Sequence, residues 1–180
     1  VNEAFVRTER GQDAEASFDA ALADFARAES LAAGRAELHT GRALARINRG
    51  NQVSARGRDP MPFYQAADDD LGRALELAPN DDESWMRRGL SRVNAGNWLA
   101  AHGQDPAGRY GAGIADFEEA LKRNPNREET WIKRGIARTN WGAYRIWRGE
   151  DPTDLYEAAL RDFAESVRLN PTSDESWLKR

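Results

Sequence analysis

The side chains with the most to offer chemically are charged, and they recur in register. Asp24, Asp70, Asp116 and Asp162 stand 46 residues apart, as do Arg42, Arg88, Arg134 and Arg180. Arg46, Arg92 and Arg138 keep the same step. An arginine beside an apolar stripe is costly unless it is paired. Folding the chain back about Gly103-Gln104 brings Arg92 level with residues near 115, and folding it about Pro125-Asn126 brings Arg134 level with residues near 117. Asp116 falls between them. The expectation is a ladder of partly buried ion pairs linking successive units: Asp24 with Arg42, Asp70 with Arg46 and Arg88, Asp116 with Arg92 and Arg134, Asp162 with Arg138 and Arg180. The alternative use of such arginines is a stripe that receives anionic peptides.

Catalytic chemistry has little to stand on. The two histidines, His39 and His102, occupy different positions in the repeat, and there is no cysteine to serve as nucleophile, zinc ligand or disulfide partner. No His-x-x-x-His pair, glycine-rich phosphate loop or Ser-His-Asp set is present. The acid pairs Asp81-Asp82 and Glu128-Glu129 open helices, where the positive helix end accounts for them. The run Asp68-Asp69-Asp70 reads as a solvated face plus one ladder acid. No enzyme activity, cofactor or metal is expected.

The elements that hold these residues follow from punctuation and period. Asn80-Asp-Asp-Glu83 opens a helix with Asn80 as its cap, and Thr172 with Glu175 forms the capping-box version of the same signal. Trp85, Met86, Gly89, Leu90 and Val93 then follow helical spacing. Gly103-Gln-Asp-Pro106 supplies a left-handed C-cap, an aspartate N-cap and a proline for the first turn of the next helix, and Gly57-Arg-Asp-Pro60 and Gly149-Glu-Asp-Pro152 repeat it. The second helix carries Tyr110, Ile114, Phe117, Ala120 and Leu121 on one face and closes at Asn124-Pro125. Each unit is thus an antiparallel hairpin of about 20 and 17 residues, roughly 30 and 25 Å long.

The step also covers Gly11, Gly57, Gly103 and Gly149, and Trp85, Trp131 and Trp177, without a gap. Self-similarity at this period means a stacked array in which each unit buries its apolar face against its neighbours. One domain over 1–180 is expected, divided at 34–79, 80–125 and 126–171 with partial units at 1–33 and 172–180. At 40% hydrophobic and 31% charged, the chain suits a folded helical protein better than a disordered one. A net charge of −4 with interleaved signs argues against nucleic acid as a partner, and no apolar run approaches the roughly 18 residues of a membrane span. A cytoplasmic setting is the corresponding expectation. Neither end carries a polar cap, so the chain is expected to be either part of a longer array or able to stack end to end.

The run Gly113, Phe117, Ala120, Pro125, Trp131, with Gly135 four beyond, resembles the tetratricopeptide repeat, and Ala67, Leu71, Ala74, Pro79, Trp85, Gly89 resembles it one copy earlier. The resemblance covers nearly the whole chain. It departs in length, 46 residues against the family's 34, and in Arg88, Arg92, Arg134 and Arg138, which stand where leucine and tyrosine are usual. It implies an all-α, right-handed solenoid of stacked antiparallel helix hairpins that serves as a protein- or peptide-binding scaffold, with the first helices lining a concave groove. A structural spacer or self-assembling segment of a larger bacterial signalling protein is the alternative. Asparagines on first helices commonly grip a bound peptide in that family, which makes Asn48, Asn94 and Asn140 groove candidates. Arg87 and Lys133 partly match its clamp for a C-terminal carboxylate, but Met86, Leu90, Ile132 and Ile136 do not, so a carboxylate clamp is not expected. Trp98, Tyr144 and Trp147 lie in the twelve-residue extension and vary between copies, as specificity anchors do.

Overall fold

The computed structural model describes residues 15–31 and 34–171. Seven helices run through them: α1 (Glu15–Leu31), α2 (Ala36–Ala55), α3 (Met61–Leu77), α4 (Asp82–Ala101), α5 (Ala107–Arg123), α6 (Glu128–Trp147) and α7 (Thr153–Leu169). They form three hairpins, α2–α3, α4–α5 and α6–α7, stacked in chain order, with α1 packed on α2. First helices have 20 residues and second helices 17, the lengths expected from the punctuation. None of these helices is long and apolar enough to cross a membrane.

The turns inside the hairpins are one structure used three times. Gly57, Gly103 and Gly149 have φ of +71°, +69° and +75°. Their amides and those of the next residues bond back to the last turn: Gly103 N to Ala100 O at 3.1 Å and Gln104 N to Leu99 O at 2.9 Å. That pairing is the Schellman closure, and it needs a residue at ease in the left-handed region. Asp59, Asp105 and Asp151 then accept the amides of Met61, Ala107 and Thr153 at 2.9 Å. The Thr153 hydroxyl and amide hold the Asp151 carboxyl below its ordinary value. One cap differs from expectation. Asp81, not Asn80, caps α4, accepting from the Ser84 amide at 3.2 Å. The chain turns one residue later because Asp81 takes the extended backbone a cap needs. Thr172 and Glu175 lie outside the described residues.

Within each hairpin an aromatic ring of the second helix lies on a glycine of the first. Phe117 covers Gly89 and Tyr110 covers Gly96; Phe163 and Tyr156 cover Gly135 and Gly142. Phe117 and Tyr110 are almost completely buried, with Met86, Val93 and Ala120 around them. Close approach of the helices lets these rings reach the far backbone, so the glycines serve packing and not flexibility.

The arginines and aspartates meet, and half of the expected pairing is found: Asp70 holds Arg46, Asp116 holds Arg92 and Asp162 holds Arg138, but the second arginine on each carboxylate is not the one expected. Asp116 takes both arginines of its own hairpin, Arg88 at 2.8 and 3.1 Å and Arg92 at 2.8 Å. Asp70 takes Arg42 at 2.6 Å and Arg46 at 2.5 Å, and Asp162 takes Arg134 at 2.6 Å and Arg138 at 2.5 Å. Arg88 therefore does not reach Asp70, nor Arg134 Asp116. Asp24 is exposed on α1, its expected partner Arg42 being engaged elsewhere. Arg180 lies outside the described residues. The correction has a geometric cause. Arginines four apart lie on one face of a helix, so one carboxylate of the facing helix answers both.

Links between units come instead from acids outside the repeat column. Arg42 also pairs with Glu29 of α1, Arg92 with Asp68 of α3 at 3.3 Å, and Arg138 with Glu118 of α5 at 3.3 Å. Arg109 of α5 approaches the same Asp68 at 3.4 Å. Burial lifts the Asp68 carboxyl above its ordinary value of 3.8, against the pull of Ser91, Arg92 and Arg109, and among the described residues its Oδ1 has no hydrogen-bond partner. A carboxyl raised in the folded state favours folding when protonated. Its contribution is present below pH 3.8 and is lost as pH rises through the raised value. Asp68→Asn should therefore gain stability relative to the parent as pH climbs through that window. Urea midpoints at paired pH values measure the difference, and a relative loss would rank the arginine pairs above desolvation.

The repeated tryptophans close the joints between units. Trp85 Nε1 donates to Pro79 O at 3.0 Å and Trp131 Nε1 to Pro125 O at 2.8 Å. Guanidinium groups of Arg88 and Arg123 stand 4.7 and 4.8 Å from the Trp85 ring centre. His39, in the tryptophan column, is buried beside Glu29 and Arg42.

Candidate peptide-binding clefts

First helices of successive units lie against one another, and asparagines join them. Asn94 Nδ2 donates to Asn51 Oδ1 at 2.9 Å, and Asn140 Nδ2 donates to Asn97 Oδ1 at 3.0 Å. The same two oxygens accept the Tyr64 and Tyr110 hydroxyls, each at 2.8 Å. An asparagine is a poor helix former, and here each one holds neighbouring helices in register. Asn48 makes no such bond among the described residues. Asn51 and Asn97 were missed in the sequence reading, because their column ends in Ala143 and so looks broken. The signal that would have found them is their constant distance of 13 residues from Tyr64 and Tyr110.

Each Asn–Asn–Tyr set floors an open cleft at the Gly-x-Asp-Pro end of the hairpins. The first, between α2 and α4, has a volume of about 510 Å³ and is walled by Trp98 and His102, whose rings are 3.7 Å apart. The second, between α4 and α6, has about 490 Å³ and is walled by Tyr144 and Trp147, 5.8 Å apart. Position by position the two correspond at a step of 46: Asn51 with Asn97, Tyr64 with Tyr110, Asn94 with Asn140, Trp98 with Tyr144. Trp147 is 67% exposed. These walls belong to the part of the first helix that exceeds an ordinary tetratricopeptide unit.

The lining of the clefts is amides, hydroxyls and aromatic rings, His102 among them. No Asp, Glu, Lys or Arg lines either one. Burial pushes both Tyr64 and Tyr110 up to about 12, so each hydroxyl stays a donor at neutral pH. A phenol raised by folding supports the fold below its ordinary value of 10.0 and ceases to as pH rises towards 12. Phenolate absorbance from these two should be absent until the pH nears about 12 or the chain unfolds; the Tyr64→Phe/Tyr110→Phe variant isolates their signal.

Two further concavities are charged and already engaged. One of about 500 Å³ lies between the starts of α2 and α4, with Glu37, Thr40, Asp81, Glu83 and Arg87 around it. There Arg87 pairs with Glu83, and Asp81 caps α4. Lys133 stands 3.9 Å from Glu129, one turn away on its own helix. Arg87 and Lys133 thus sit near the helix starts, apart from the cluster of Asn94, Asn140, Trp98, Tyr144 and Trp147. The other concavity, of about 310 Å³, joins Trp141 and Tyr144 to Arg148 and Glu150. Among the described residues no three His, Asp or Glu side chains are grouped to hold a metal ion.

No protein-family model matches the sequence, and no curated protein matches it. Solved structures do match. The crystal structure of MamA is similar over 93% of this chain and 69% of its own, at a TM-score of 0.60 and 15% identity. The MamA RS-1 ArsTM double mutant is similar over 97% and 75%, at 0.63 and 16%. The first tetratricopeptide domain of human RPAP3 is similar over 76% and 85%, at 0.50 and 18%. The first such domain of Spaghetti (RPAP3), bound to the HSP90 peptide SRMEEVD, is similar over 78% and 88%, at 0.50 and 16%.

Proposed function

We propose, for a chain with this tetratricopeptide-type solenoid fold, that it is a protein-interaction module receiving an extended segment of a partner protein along its first helices. The observation that carries the reading is the pair of equivalent clefts on α2, α4 and α6. Each is walled by aromatic rings and floored by asparagines. Concave sites with apolar walls and a few placed polar groups are where ligands bind. The peptide held by the similar domain of Spaghetti supports the assignment by analogy of fold.

Asn94, Asn140, Trp98, Tyr144 and Trp147 are the residues assigned to the partner, with Asn94 and Asn140 positioning the walls through their bonds to Asn51 and Asn97. Arg87 and Lys133 are assigned a lesser place, at the edge of the surface. A peptide-array screen of the chain and of its Asn94→Ala/Asn140→Ala variant tests the reading. Peptides retained by the parent should be lost or weakened about tenfold in the variant, the effect of a hydrogen bond to each. An unchanged pattern would move the site away from these clefts.

A further inference from the structure

The two clefts are copies of each other, and copies at a fixed step define the repeat of whatever lies across both. Building on the peptide-binding reading, we infer that they take a Pro-x-x-Pro segment of a partner in the polyproline II conformation, one proline to each cleft. Three observations lead there.

The step comes first. Helices in direct contact run ~8–10 Å apart, and α2, α4 and α6 touch through Asn51–Asn94 and Asn97–Asn140. A β-strand returns a side chain to the same side every ~6.6 Å, and at the next return ~13 Å. Neither matches. A polyproline II chain does so every three residues, at ~9.3 Å. An α-helix with anchors seven apart would span ~10.5 Å, but its main-chain groups already bond one another.

The second observation concerns those main-chain groups. In the cleft between α4 and α6, Asn97 Oδ1 and Asn140 Nδ2 form the bond between the helices, and among the described residues nothing bonds to Asn97 Nδ2 or Asn140 Oδ1. In the cleft between α2 and α4, Asn51 Nδ2 and Asn94 Oδ1 stand in the same way. Each cleft thus offers one donor and one acceptor. A polyproline II chain has every main-chain group unbonded. A proline carbonyl meets the donor, and the N–H of an intervening residue meets the acceptor.

Charge is the third. In a chain that is 31% charged, two clefts without a carboxylate, guanidinium or ammonium group suit an uncharged segment. A charged side chain there would lose water and gain no counter-charge. The walls are the flat rings of Trp98, Tyr144 and Trp147, and aromatic-lined grooves suit the preformed ridge of a proline-rich segment.

The test is calorimetric titration with acetylated, amidated dodecapeptides of alanine and proline. One has proline at every third position and one at every second. The every-third peptide should bind about tenfold more tightly, and Asn97→Ala and Trp147→Ala should each weaken it several-fold. Ala143 already stands one unit on from Asn97, so the fold carries that substitution elsewhere. Trp147 is mostly exposed, so its loss leaves the core intact. Equal affinity for the two peptides, or binding indifferent to both variants, overturns the inference. If a charged or proline-free peptide binds in a manner dependent on Asn94 and Asn140 while the every-third peptide does not, the inference fails and the peptide-binding reading stands. Silence from every peptide in the panel rejects both.

Discussion

Asp116→Ala should destabilise the chain by roughly 3–5 kcal/mol, the cost of leaving buried charge unanswered. Asp116 is 2% exposed, and its carboxylate joins Arg88 and Arg92 by three contacts between 2.8 and 3.1 Å. Removing it confronts two guanidinium groups beside the Phe117 core. Arg92 retains Asp68, itself held above its ordinary carboxyl value by burial, and among the described residues Arg88 retains the Trp85 face. Urea denaturation measures the loss. Since stability in a stacked array is a sum over units and joints, hydrogen exchange should locate the weakened protection in α4 and α5. Replacing all three together, as Asp116→Leu/Arg88→Leu/Arg92→Met, should restore most of the loss, because an apolar set of similar volume requires no charge to be desolvated. A single-variant loss below about 1 kcal/mol would place the triad among exposed ion pairs.

Gly89→Ala and Gly72→Ala should move stability in opposite directions. Both glycines lie inside helices, where alanine is worth up to ~1 kcal/mol over glycine. At Gly72 a Cβ meets nothing within 4 Å, so that gain is realised. At Gly89 it falls 2.8 Å from the Phe117 ring and 2.9 Å from the Gly113 carbonyl oxygen. The ring is fully buried and the oxygen belongs to backbone, so neither yields without parting α4 from α5. Overpacking of this kind costs ~1–3 kcal/mol and outweighs the propensity gain. The propensity gain is common to both sites, so the expected difference between the two variants is the overpacking cost, about 1–3 kcal/mol, read from thermal or urea midpoints. A stabilised Gly89→Ala would show that the hairpin tolerates a wider spacing.

Much of the fold was legible because it is local. The Gly-x-Asp-Pro turns needed only a left-handed glycine and an aspartate two residues on, and Gly57, Gly103 and Gly149 adopt that φ. Helix lengths followed from the distance between such signals. The glycine–aromatic contacts were half visible. Gly89 and Gly135 stood in the apolar stripe, but the rings that lie on them are 28 residues away, on another helix.

The candidate site was legible only in part. Asn94 and Asn140 stood out because asparagine recurs mid-helix against its propensity. Asn51 and Asn97, which complete each bond, did not, because their column begins with Phe5 and ends with Ala143. Arg87 and Lys133 were grouped with the asparagines by resemblance, and the structure sets them near the opposite ends of the first helices.

By itself, then, the order of residues determined the unit, its two helices, its turns and the fact of stacking. These depend on backbone preferences within a few positions and on a period that no folding is needed to see. Only the tertiary structure decided which acid meets which arginine, which amide meets its neighbour, and that the longer first helices enclose uncharged clefts. Those outcomes turn on the rotation of one helix about its axis against the next. A residue's rotation relative to a helix tens of positions away is set by packing, and packing leaves no local mark in the chain.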